Sequence, residues 1–500
     1  MRIYAFLIFL CMQKFLHAQM VFSGNWITGA GKSFVVSFNP TPTVRIFDSN
    51  YTYYFSKGSS CISNENSRLQ LLCNGYQIYD SNGVHLLNGD SLVPAKIYDR
   101  YNGFSVYNQT SIILPFALGV YYCITPTVSN QEYQNSWGLG GLGNFDLLLY
   151  HKINLNSGPN GAVIKKAIPI IQGQSIGRPQ MMACRHADGV NWWLLKPYRG
   201  NNSIHKFLFT QDSVYDVGLQ SFSIPIMSMN DLSGQIDFDL EGKRYASVVQ
   251  GSDELFLCDF DRCSGALTNP RTYKIPDSAR TPTNSTLDTE PSGLCWSPDG
   301  RFIYVSKYWN IFQLDLQDPD TLTRWHHVVN LDTSEQMFMG YGNMFRANDL
   351  KIYIGNWNNT SAGMSLIANP NLKGAGCNFC ARCLQFPKTG ASHPPCMPNY
   401  SLGKDTTVIC WPMNLIESEE SAAAESCVVY PNPAQTHLTV ESDAFKKGLN
   451  RLRIFNLMGQ CVLEEAFKTV SGKHTVSVQG LPSGVYILKV NNMVRRVVIE

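Results

Sequence analysis

A turn followed by an apolar strand recurs between about residue 30 and residue 410, and no other feature restricts the fold of this 500-residue chain as strongly. In its clearest copy, the turn Ser297-Pro298-Asp299-Gly300 precedes RFIYVS (301–306) and IFQLDL (311–316). Asp-Gly supplies the positive φ angles of a hairpin turn, and alternating apolar residues give a strand one buried face. The unit therefore predicts an antiparallel hairpin.

Weaker copies of this unit occur along the same stretch. The six turn positions are Asn66, Leu118, Asp188, Glu241, Asp299 and Asn348. They are 52, 70, 53, 58 and 49 residues apart, close to the roughly 40 to 50 residues of a four-stranded propeller blade with loop insertions. The strands GKSFVVSF (31–38) and GMSLIAN (363–369) would complete one more blade, in which the first and last strands pair and close the ring. We therefore predict an all-β fold, with a β-propeller of seven blades over residues 19–410.

The composition agrees with short strands and tight turns. Charged residues form 16% of the chain and aromatic residues 12%, with 39 glycines, whereas a typical globular domain has about 25% charged residues. The 40 basic and 38 acidic residues leave a net charge of +2. Without a field of one sign, we expect no nucleic-acid partner.

The N-terminus has the pattern of a signal peptide over residues 1–18. Arg2 is the positive residue, Tyr4 to Met12 form the apolar segment, and Ala18 provides a small residue for cleavage before Gln19. The alternative, a buried strand or a membrane anchor, is disfavoured because the run is too short to span a bilayer. No later run is long and apolar enough either, so no transmembrane segment is expected in the mature chain.

Export would place the cysteines in an oxidising compartment. Of 15 cysteines, 14 remain once Cys11 is removed with the signal peptide, and disulfides are the expected state. Short separations make Cys258–Cys263 and Cys61–Cys73 the candidate bridges, and we expect at least the first pair to lie within bonding reach. The sequence leaves the full connectivity open. The cluster Cys377, Cys380, Cys383 and Cys396 has thiolate-ligand spacing, but disulfides are favoured over zinc or an iron–sulfur cluster, so no cofactor or metal is predicted.

The chain changes character after Trp411. Residues 411–427 contain the acidic, unpatterned ESEESAAAES and are predicted to be a linker. Residues 428–500 then contain about seven short apolar strands separated by turn residues, which predicts a small Ig-like β-sandwich.

Three ordered motifs in this last segment resemble the type A sorting domain of the type IX secretion system. They are YPNPA (430–434), IFNLMGQ (454–460) and LPSGVYILKV (481–490). The motif residues are Tyr430, Pro431, Asn432, Pro433, Gly459, Gln460, Gly484, Tyr486 and Lys489. The resemblance implies export by the type IX machinery, removal of the domain, and release or attachment at the cell surface. The alternative is an ordinary immunoglobulin-like module.

The blades carry a weaker resemblance. The SPDG unit is similar to WD40-like repeats, and CRHADGVNWW (184–193) and FDRCSGAL (260–267) resemble secreted propeller proteins of Bacteroidetes. This resemblance implies a fold and leaves the activity open.

Catalytic signatures are missing from the local sequence. Gly138, Gly140 and Gly143 fit a dinucleotide motif but lack the βαβ context, and no nucleophile elbow, zinc-binding HExxH or framed acid pair occurs. We predict no catalytic residues.

The best polar cluster is Arg185 and His186 before Trp192. A structural role that fixes the turn is favoured for the histidine over contact with a ligand at the channel. We therefore predict a secreted, non-catalytic propeller that binds a glycan or protein. The alternative is a glycan-active hydrolase or lyase whose acids come from several blades.

Overall fold

The computed structural model describes residues 22–38, 41–47, 54–137, 144–198, 202–224, 226, 234–249, 253–277, 291–330, 340–357, 361–390, 393–408, 410, 427–442, 445, 450–456, 461–469, 471–490 and 493–500. The chain divides into two compact units, residues 1–406 and residues 407–500.

The first unit consists of successive antiparallel sheets, which we call blades and number along the chain. Blade 1 contains β1 (Asn25–Ala30), β2 (Phe34–Phe38), β3 (Pro42–Ile46) and β4 (Tyr54–Phe55). Blade 2 contains β5 (Ser60–Ser63), β6 (Leu69–Cys73) and β7 (Ile78–Asp80). Blade 3 contains β8 (Ile112–Pro115), β9 (Val120–Thr127), β10 (Leu147–Asn154) and β11 (Ala162–Gln172).

Blades 4 to 7 follow with the same local order. Blade 4 contains β12 (Met182–Arg185), β13 (Trp192–Pro197), β14 (Ser203–Phe209) and β15 (Val214–Ser221), and blade 5 contains β16 (Gly234–Phe238), β17 (Arg244–Val249), β18 (Glu254–Phe260) and β19 (Leu267–Lys274). Blade 6 contains β20 (Pro291–Trp296), β21 (Phe302–Lys307), β22 (Asn310–Asp315) and β23 (Trp325–Asn330). Blade 7 contains β24 (Tyr341–Arg346), β25 (Ile352–Asn356), β26 (Gly363–Ile367) and β27 (Phe379–Gln385). The described helical segments are α1 (Ala95–Arg100), α2 (Asn130–Glu132) with the π turn Tyr133–Trp137, and the 3₁₀ turns Ala117–Gly119 and Gly374–Cys377.

These sheets form a β-propeller with seven blades in the described residues, which confirms the predicted fold class. Blade 2 has three strands and the other six blades have four. The first strands of neighbouring blades contact one another, as in β1–β5, β5–β8, β12–β16, β16–β20 and β20–β24, so these strands surround the centre. Each of the six predicted turns joins the first and second strands of one blade.

The repeated turns owe their shape to an acid that caps backbone amides. The Asp299 Oδ1 atom accepts from the Arg301 amide at 3.1 Å, and the Asp239 Oδ1 atom accepts from the Lys243 amide at 2.7 Å. Gly300 has a φ of 68°, and a Cβ atom there would lie 2.1 Å from the Arg244 guanidinium. Both the backbone angle and the tight packing therefore require glycine at this turn.

The predicted closure of the ring by pairing of the first and last strands is wrong. The strand β2 belongs to blade 1, which is built from residues 25–55, and the strand β26 belongs to blade 7, which is built from residues 341–385. The strand β2 pairs with β1 on one side and with β3 on the other. Because both edges of β2 are occupied, it has no free edge for a strand from the end of the chain. Blades 1 and 7 instead meet through side chains, including the Trp26 and Tyr353 rings, whose centroids are 5.5 Å apart.

Neighbouring blades pack face to face through buried apolar side chains. One cluster contains Ala246, Val248, Leu294, Trp296, Phe312 and other residues of blades 5 and 6. A second contains Cys295, Tyr304, Ile311, Met344, Ile354 and other residues of blades 6 and 7. Because each strand alternates its side chains between two faces, one blade can contribute to two such interfaces.

The segment that follows the last blade passes through the centre of the ring, and we call residues 393–405 the plug. Its hydrogen bonds reach Thr28 of blade 1, Asn343 of blade 7, the Ser59 carbonyl beside blade 2, the Ile113 carbonyl of blade 3, the Leu240 carbonyl of blade 5 and the Ala187 carbonyl of blade 4. His393, Cys396 and Tyr400 are buried. The chain thus fills its own channel.

A second segment crosses the same channel. Gln109 lies just before β8, yet its side-chain amide donates to the Ile236 carbonyl of blade 5 at 2.8 Å and accepts from the Ile236 amide at 2.9 Å. Asn108 donates to the Ser292 carbonyl of blade 6 at 3.4 Å. The centre of the ring is therefore packed with protein.

The second unit is a β-sandwich, as predicted. Its sheets run β28-β29-β32 and β31-β30-β33-β34 and contain the strands β28 (Cys427–Tyr430), β29 (His437–Ser442), β30 (Asn450–Asn456), β31 (Cys461–Phe467), β32 (Lys473–Ser477), β33 (Gly484–Val490) and β34 (Met493–Ile499). Leu438 and Val476 from one sheet share a core with Leu452 and Leu488 from the other. Each sheet thereby buries its apolar face within the unit.

Candidate functional site

A cleft at one mouth of the channel combines polar groups from several blades with the plug. Its cavity volume is about 70 Å³, and the space between its lining residues is about 640 Å³ when open solvent is counted. Its lining includes Ser23, Trp26, Asp237, Phe345, Arg346, Asn348, Asn399 and Ser401. Blades 1, 5 and 7 form its walls, and Pro395 to Ser401 of the plug provide part of its lining. We call it the mouth cleft.

Asp237 is the titratable group of this cleft whose pKa departs most from the ordinary value. Burial raises the pKa of the carboxyl to about 7, although the nearby Arg346 guanidinium and the Phe238 amide, which donates to Oδ1 at 2.9 Å, act in the opposite direction. Near neutral pH, the carboxyl is therefore present both as a hydrogen-bond donor and as an acceptor. Perturbed acids in clefts are frequent at functional sites.

Backbone contacts fix the groups around Asp237. The Arg346 Nη1 atom donates to the Trp296 carbonyl at 3.0 Å, which leaves the remaining guanidinium donors for other contacts. The Asn399 Nδ2 atom donates to the Leu240 carbonyl at 2.9 Å, and its Oδ1 atom accepts from the Ser401 amide at 3.1 Å. The cleft therefore presents a guanidinium, an acid and amides in a fixed arrangement.

Sequence reasoning missed this cleft. Asp237 is the second-last residue of β16, two residues before the turn acid Asp239, and Arg346 is the last residue of β24. The signal available in the sequence was a charged residue at the end of a first strand in two different blades. Their proximity follows only from the ring.

The predicted ligand residues Arg185, His186 and Trp192 come together in blade 4, outside the lining of the mouth cleft. The Arg185 guanidinium lies over the Trp192 ring at 4.1 Å, and the Arg185 Nη1 atom donates to the Gly189 carbonyl at 3.1 Å. Trp192 is fully buried, and its indole N–H donates to the Pro115 carbonyl.

Both ring nitrogens of His186 lie within hydrogen-bond distance of protein groups. The Nδ1 atom accepts from the Asp188 amide at 3.1 Å, and the Nε2 atom lies 3.0 Å from the Cys263 carbonyl. This geometry fits the structural alternative for the histidine, which connects the turn of blade 4 to blade 5.

A second cleft lies at the rim of blade 3. It is lined by Ser129, Gln131, Glu132, Asn135, Asn144, Asp146, Gln172, Gly173 and Ser175 and encloses about 900 Å³, again counting open solvent. The Asp146 Oδ1 atom accepts from the Ser129 amide at 2.7 Å, and Glu132 accepts from the Ser136 hydroxyl at 2.7 Å. We call it the rim cleft.

Both predicted disulfides are wrong. Cys258 is a buried free thiol, whereas Cys263 is disulfide-bonded, so these two do not pair. Cys61 and Cys73 are buried free thiols as well. Cys73 lies instead beside Cys123, with 3.7 Å between the sulfur atoms. Sequence separation was misleading because the side chains of successive strand residues point to opposite faces.

The four cysteines with ligand-like spacing do not form one site. Cys380 and Cys383 are bonded to each other in the outermost strand of blade 7, Cys377 is a buried free thiol, and Cys396 is a buried free thiol in the plug. A different group, Asp315, Asp318 and His326, has ligand atoms within 4.8 Å of one another. Its acids already form ion pairs, Asp315 with Arg301 at 2.8 Å and Asp318 with Lys373 at 3.2 Å.

The motif residues of the second unit lie mainly at strand ends and turns. Tyr430 ends β28 and donates to Glu441 at 2.9 Å, the Asn432 Oδ1 atom accepts from the Val498 amide at 2.7 Å, and the Tyr486 hydroxyl donates to the Pro482 carbonyl at 2.6 Å. Gly484 begins β33, which also contains Lys489. Gly459 and Gln460 lie outside the described residues.

Comparison with solved structures gives only distant likenesses. A protein from Lactobacillus plantarum is 10% identical with a TM-score of 0.42, over 75% of this chain and 98% of its own. AztD from Citrobacter koseri is 9% identical with a TM-score of 0.36, over 74% and 96%. Hsv2 from Kluyveromyces lactis is 12% identical with a TM-score of 0.35, over 69% and 89%. At these scores the likenesses carry no argument, and no curated protein matches the chain.

None of the helices in the described part of the chain combines the length and hydrophobicity required of a membrane-spanning helix.

The second unit matches a known family. Residues 428–500 match the family of secretion system C-terminal sorting domains. The chain therefore carries a type IX sorting domain at residues 428–500 and is exported by that system to the cell surface or the medium.

Proposed function

We propose that the propeller binds a glycan in the mouth cleft and has no catalytic activity there. The observation that carries this proposal is the meeting of Asp237, Arg346 and Asn399 at one mouth of the channel, although they come from two blades and the plug. Sugar hydroxyls both donate and accept hydrogen bonds. The guanidinium donates hydrogen bonds, whereas the amides, and a carboxyl group near its pKa, can both donate and accept them. These groups can therefore form hydrogen bonds with sugar hydroxyls.

The number of acids favours binding over hydrolysis in this cleft. Glycoside hydrolysis generally requires two carboxyl groups about 5 to 10 Å apart. Among the described residues that line the mouth cleft, Asp237 is the only acid. A single carboxyl can orient a sugar but lacks the second acid that supplies or activates the attacking group.

The rim cleft favours the alternative, a glycan-active hydrolase or lyase. Glu132 and Asp146 both line it, so two carboxyl groups are available at one surface. If this alternative holds, Glu132→Gln should abolish the release of reducing ends from a polysaccharide panel, whereas Asp237→Asn should not affect it. A wild-type protein that releases no product from the panel would contradict the alternative.

We also propose how the chain is processed and exported, and which further residues contact a ligand. Residues 1–18 act as the signal peptide, residues 411–427 link the two domains, and the protein comes from a Bacteroidetes cell in which the type IX machinery is its export partner. Arg185, His186 and Trp192 remain proposed ligand contacts, although the burial of Trp192 supports packing as its main role.

The test is glycan-array binding of the mature protein, followed by titration of the best ligand. We expect Asp237→Asn and Arg346→Gln to weaken binding at least about tenfold each, the effect of losing one or two hydrogen bonds to a charged group. Asp320→Asn, at an exposed acid of blade 6, is the matched control and should bind normally. Unchanged affinity in both cleft variants would contradict the proposed site, and an array with no glycan ligand would point to a protein partner.

A further inference from the structure

Two buried cysteines meet between blades 2 and 3. Cys73 is the last residue of β6, and Cys123 lies in the middle of β9. Both side chains are fully buried, and their sulfur atoms are 3.7 Å apart. A disulfide has an S–S length of about 2.0 Å, so the sulfurs need to approach by about 1.7 Å, a distance within reach of side-chain rotation.

The surroundings of the pair shift the pKa values of the two thiols in opposite directions. Burial raises the pKa of Cys73, but hydrogen bonds from Cys123, the Gly75 amide, Ser111 and Ser60 outweigh burial and lower the pKa below its ordinary value. The Gly75 amide lies 3.3 Å from the Cys73 sulfur. The hydrogen bond to Cys73, together with burial, raises the pKa of Cys123. Thiol–disulfide exchange begins with attack by a thiolate, the form that a lowered pKa favours.

The predicted partner, Cys61, has different contacts. Its sulfur donates to the Asn25 carbonyl at 3.5 Å and lies 3.9 Å from the Met397 sulfur in the plug. Burial raises the pKa of Cys61 to about 12, so it remains a thiol. Cys123 is therefore the sulfur that the fold brings to Cys73.

We propose that Cys73 and Cys123 form a disulfide that joins blades 2 and 3 in the exported protein. The oxidant is the disulfide of an exported thiol–disulfide oxidoreductase. The Cys73 thiolate attacks one donor sulfur, and the other donor sulfur leaves as a thiolate. The Cys123 thiolate then attacks the Cys73 sulfur and releases the first donor sulfur. The donor gains two electrons and, as two thiols, the two protons that the cysteines lose.

Burial sets the order of events. Because neither sulfur is accessible in the folded ring, the exchange occurs before blades 2 and 3 pack together. The disulfide would then join two blades whose named strands do not pair, and it would add to the isolated bridge between Leu87, which follows β7, and Ala162 of β11. It closes a segment of about 50 residues and so restricts the unfolded chain.

The experiment is mass spectrometry of the protein isolated from the periplasm or the medium without reductant. The protein is unfolded in denaturant with an alkylating reagent, which reaches every free thiol, and is then digested. We expect a linked peptide that contains Cys73 and Cys123, two hydrogens lighter than the sum of its parts and absent after reduction. Cys258, a buried free thiol in the structure, should be alkylated and serves as the internal control.

A variant gives a second measurement that does not depend on native folding. Cys73→Ser should make Cys123 available to the reagent at one equivalent per chain, whereas Cys258→Ser should leave the linked peptide intact. Alkylation of Cys73 and Cys123 to the same extent as Cys258 in the wild-type protein would overturn the proposal. A linked peptide that joins Cys73 to Cys61 would overturn it as well.

Discussion

Burial acts on Asp237 and His151 in chemically opposite ways. It raises the pKa of the Asp237 carboxyl to about 7 and lowers the pKa of the His151 imidazole to about 3, and in both cases the neutral form is favoured. His151 is fully buried in β10, and its Nδ1 atom accepts from the Ala167 amide at 3.0 Å. His393 in the plug is also buried, and its pKa is lowered for the same reason. These residues make stability depend on pH in predictable directions.

Acid should destabilise the propeller through His151. The unfolded histidine has a pKa of about 6.5 and the folded one about 3, so between these values the unfolded chain binds more protons. The free energy of unfolding should therefore fall as the pH drops below about 6.5, by up to about 1.4 kcal/mol per pH unit from this residue. Urea unfolding of wild type and His151→Gln from pH 7 to pH 4.5 would measure the difference in slope.

The control for this prediction is His327→Gln, at an exposed histidine of β23. It should leave the pH slope of the unfolding free energy close to that of wild type. Equal slopes in wild type and His151→Gln would show that His151 does not contribute to acid sensitivity.

The plug illustrates how an irregular segment can cross a protein interior. Pro394, Pro395 and Pro398 are buried and have no amide N–H that would require a partner. The Cys396 amide donates to the Ser59 carbonyl at 2.7 Å, and Asn399 and Tyr400 use side-chain donors on carbonyls of blades 5 and 3. An irregular chain can therefore occupy the channel without many unsatisfied backbone groups.

Removal of the Tyr400 side chain should destabilise the ring. The side chain is buried, its hydroxyl donates to the Ile113 carbonyl at 2.7 Å, and its ring lies 6.0 Å from that of Trp192. We expect Tyr400→Ala to lower the free energy of unfolding by about 3 to 5 kcal/mol and Tyr400→Phe by about 1 kcal/mol. Chemical denaturation measures both changes, and Leu322→Ala, at an exposed side chain, is the neutral control. A loss below 1 kcal/mol in Tyr400→Ala would mean that the plug contributes little to stability.

At the scale of the whole molecule, the chain combines a large ring with a small export domain. The propeller has its own blade interfaces, and the sandwich has its own core of Leu438, Val440, Leu452, Ile454 and Leu488. A sandwich of this size buries only about 60% of its unfolded surface, so its stability is expected to be modest. Because the cores are separate, we expect that one unit can be removed without loss of the other.

Deletion of Val428 to Glu500 should block export while the propeller remains folded. We expect the truncated protein to accumulate in the periplasm and to melt within a few degrees of the full-length propeller transition. Cell fractionation and calorimetry measure these two outcomes. The matched control is a fusion of residues 411–500 to a foreign exported protein, which should carry that cargo to the surface. Normal secretion of the truncated chain would contradict the sorting assignment, and loss of the propeller transition would contradict the domain boundary.

The amino-acid sequence by itself determined the local units of this protein. Turn residues such as Asp299 and Gly300 specify hairpins through interactions a few residues apart, and their spacing predicts the blades. The sorting domain was also predicted, because its motifs and strand pattern lie within one short segment. The mouth cleft was not predicted, since Asp237, Arg346 and Asn399 are far apart in the chain and come together only in the ring.

The tertiary structure alone decided how the ring closes, what fills its channel and which cysteines meet. The strands β1 and β3 occupy both edges of β2, the strand with which the last strand was expected to pair. The plug has no periodic pattern that local reasoning could interpret, because its contacts come from six different blades. Cys73 lies beside Cys123 because adjacent blades pack face to face, an arrangement that sequence separation does not encode. Interactions between distant residues depend on the completed packing, whereas turns and strands depend on their immediate neighbours.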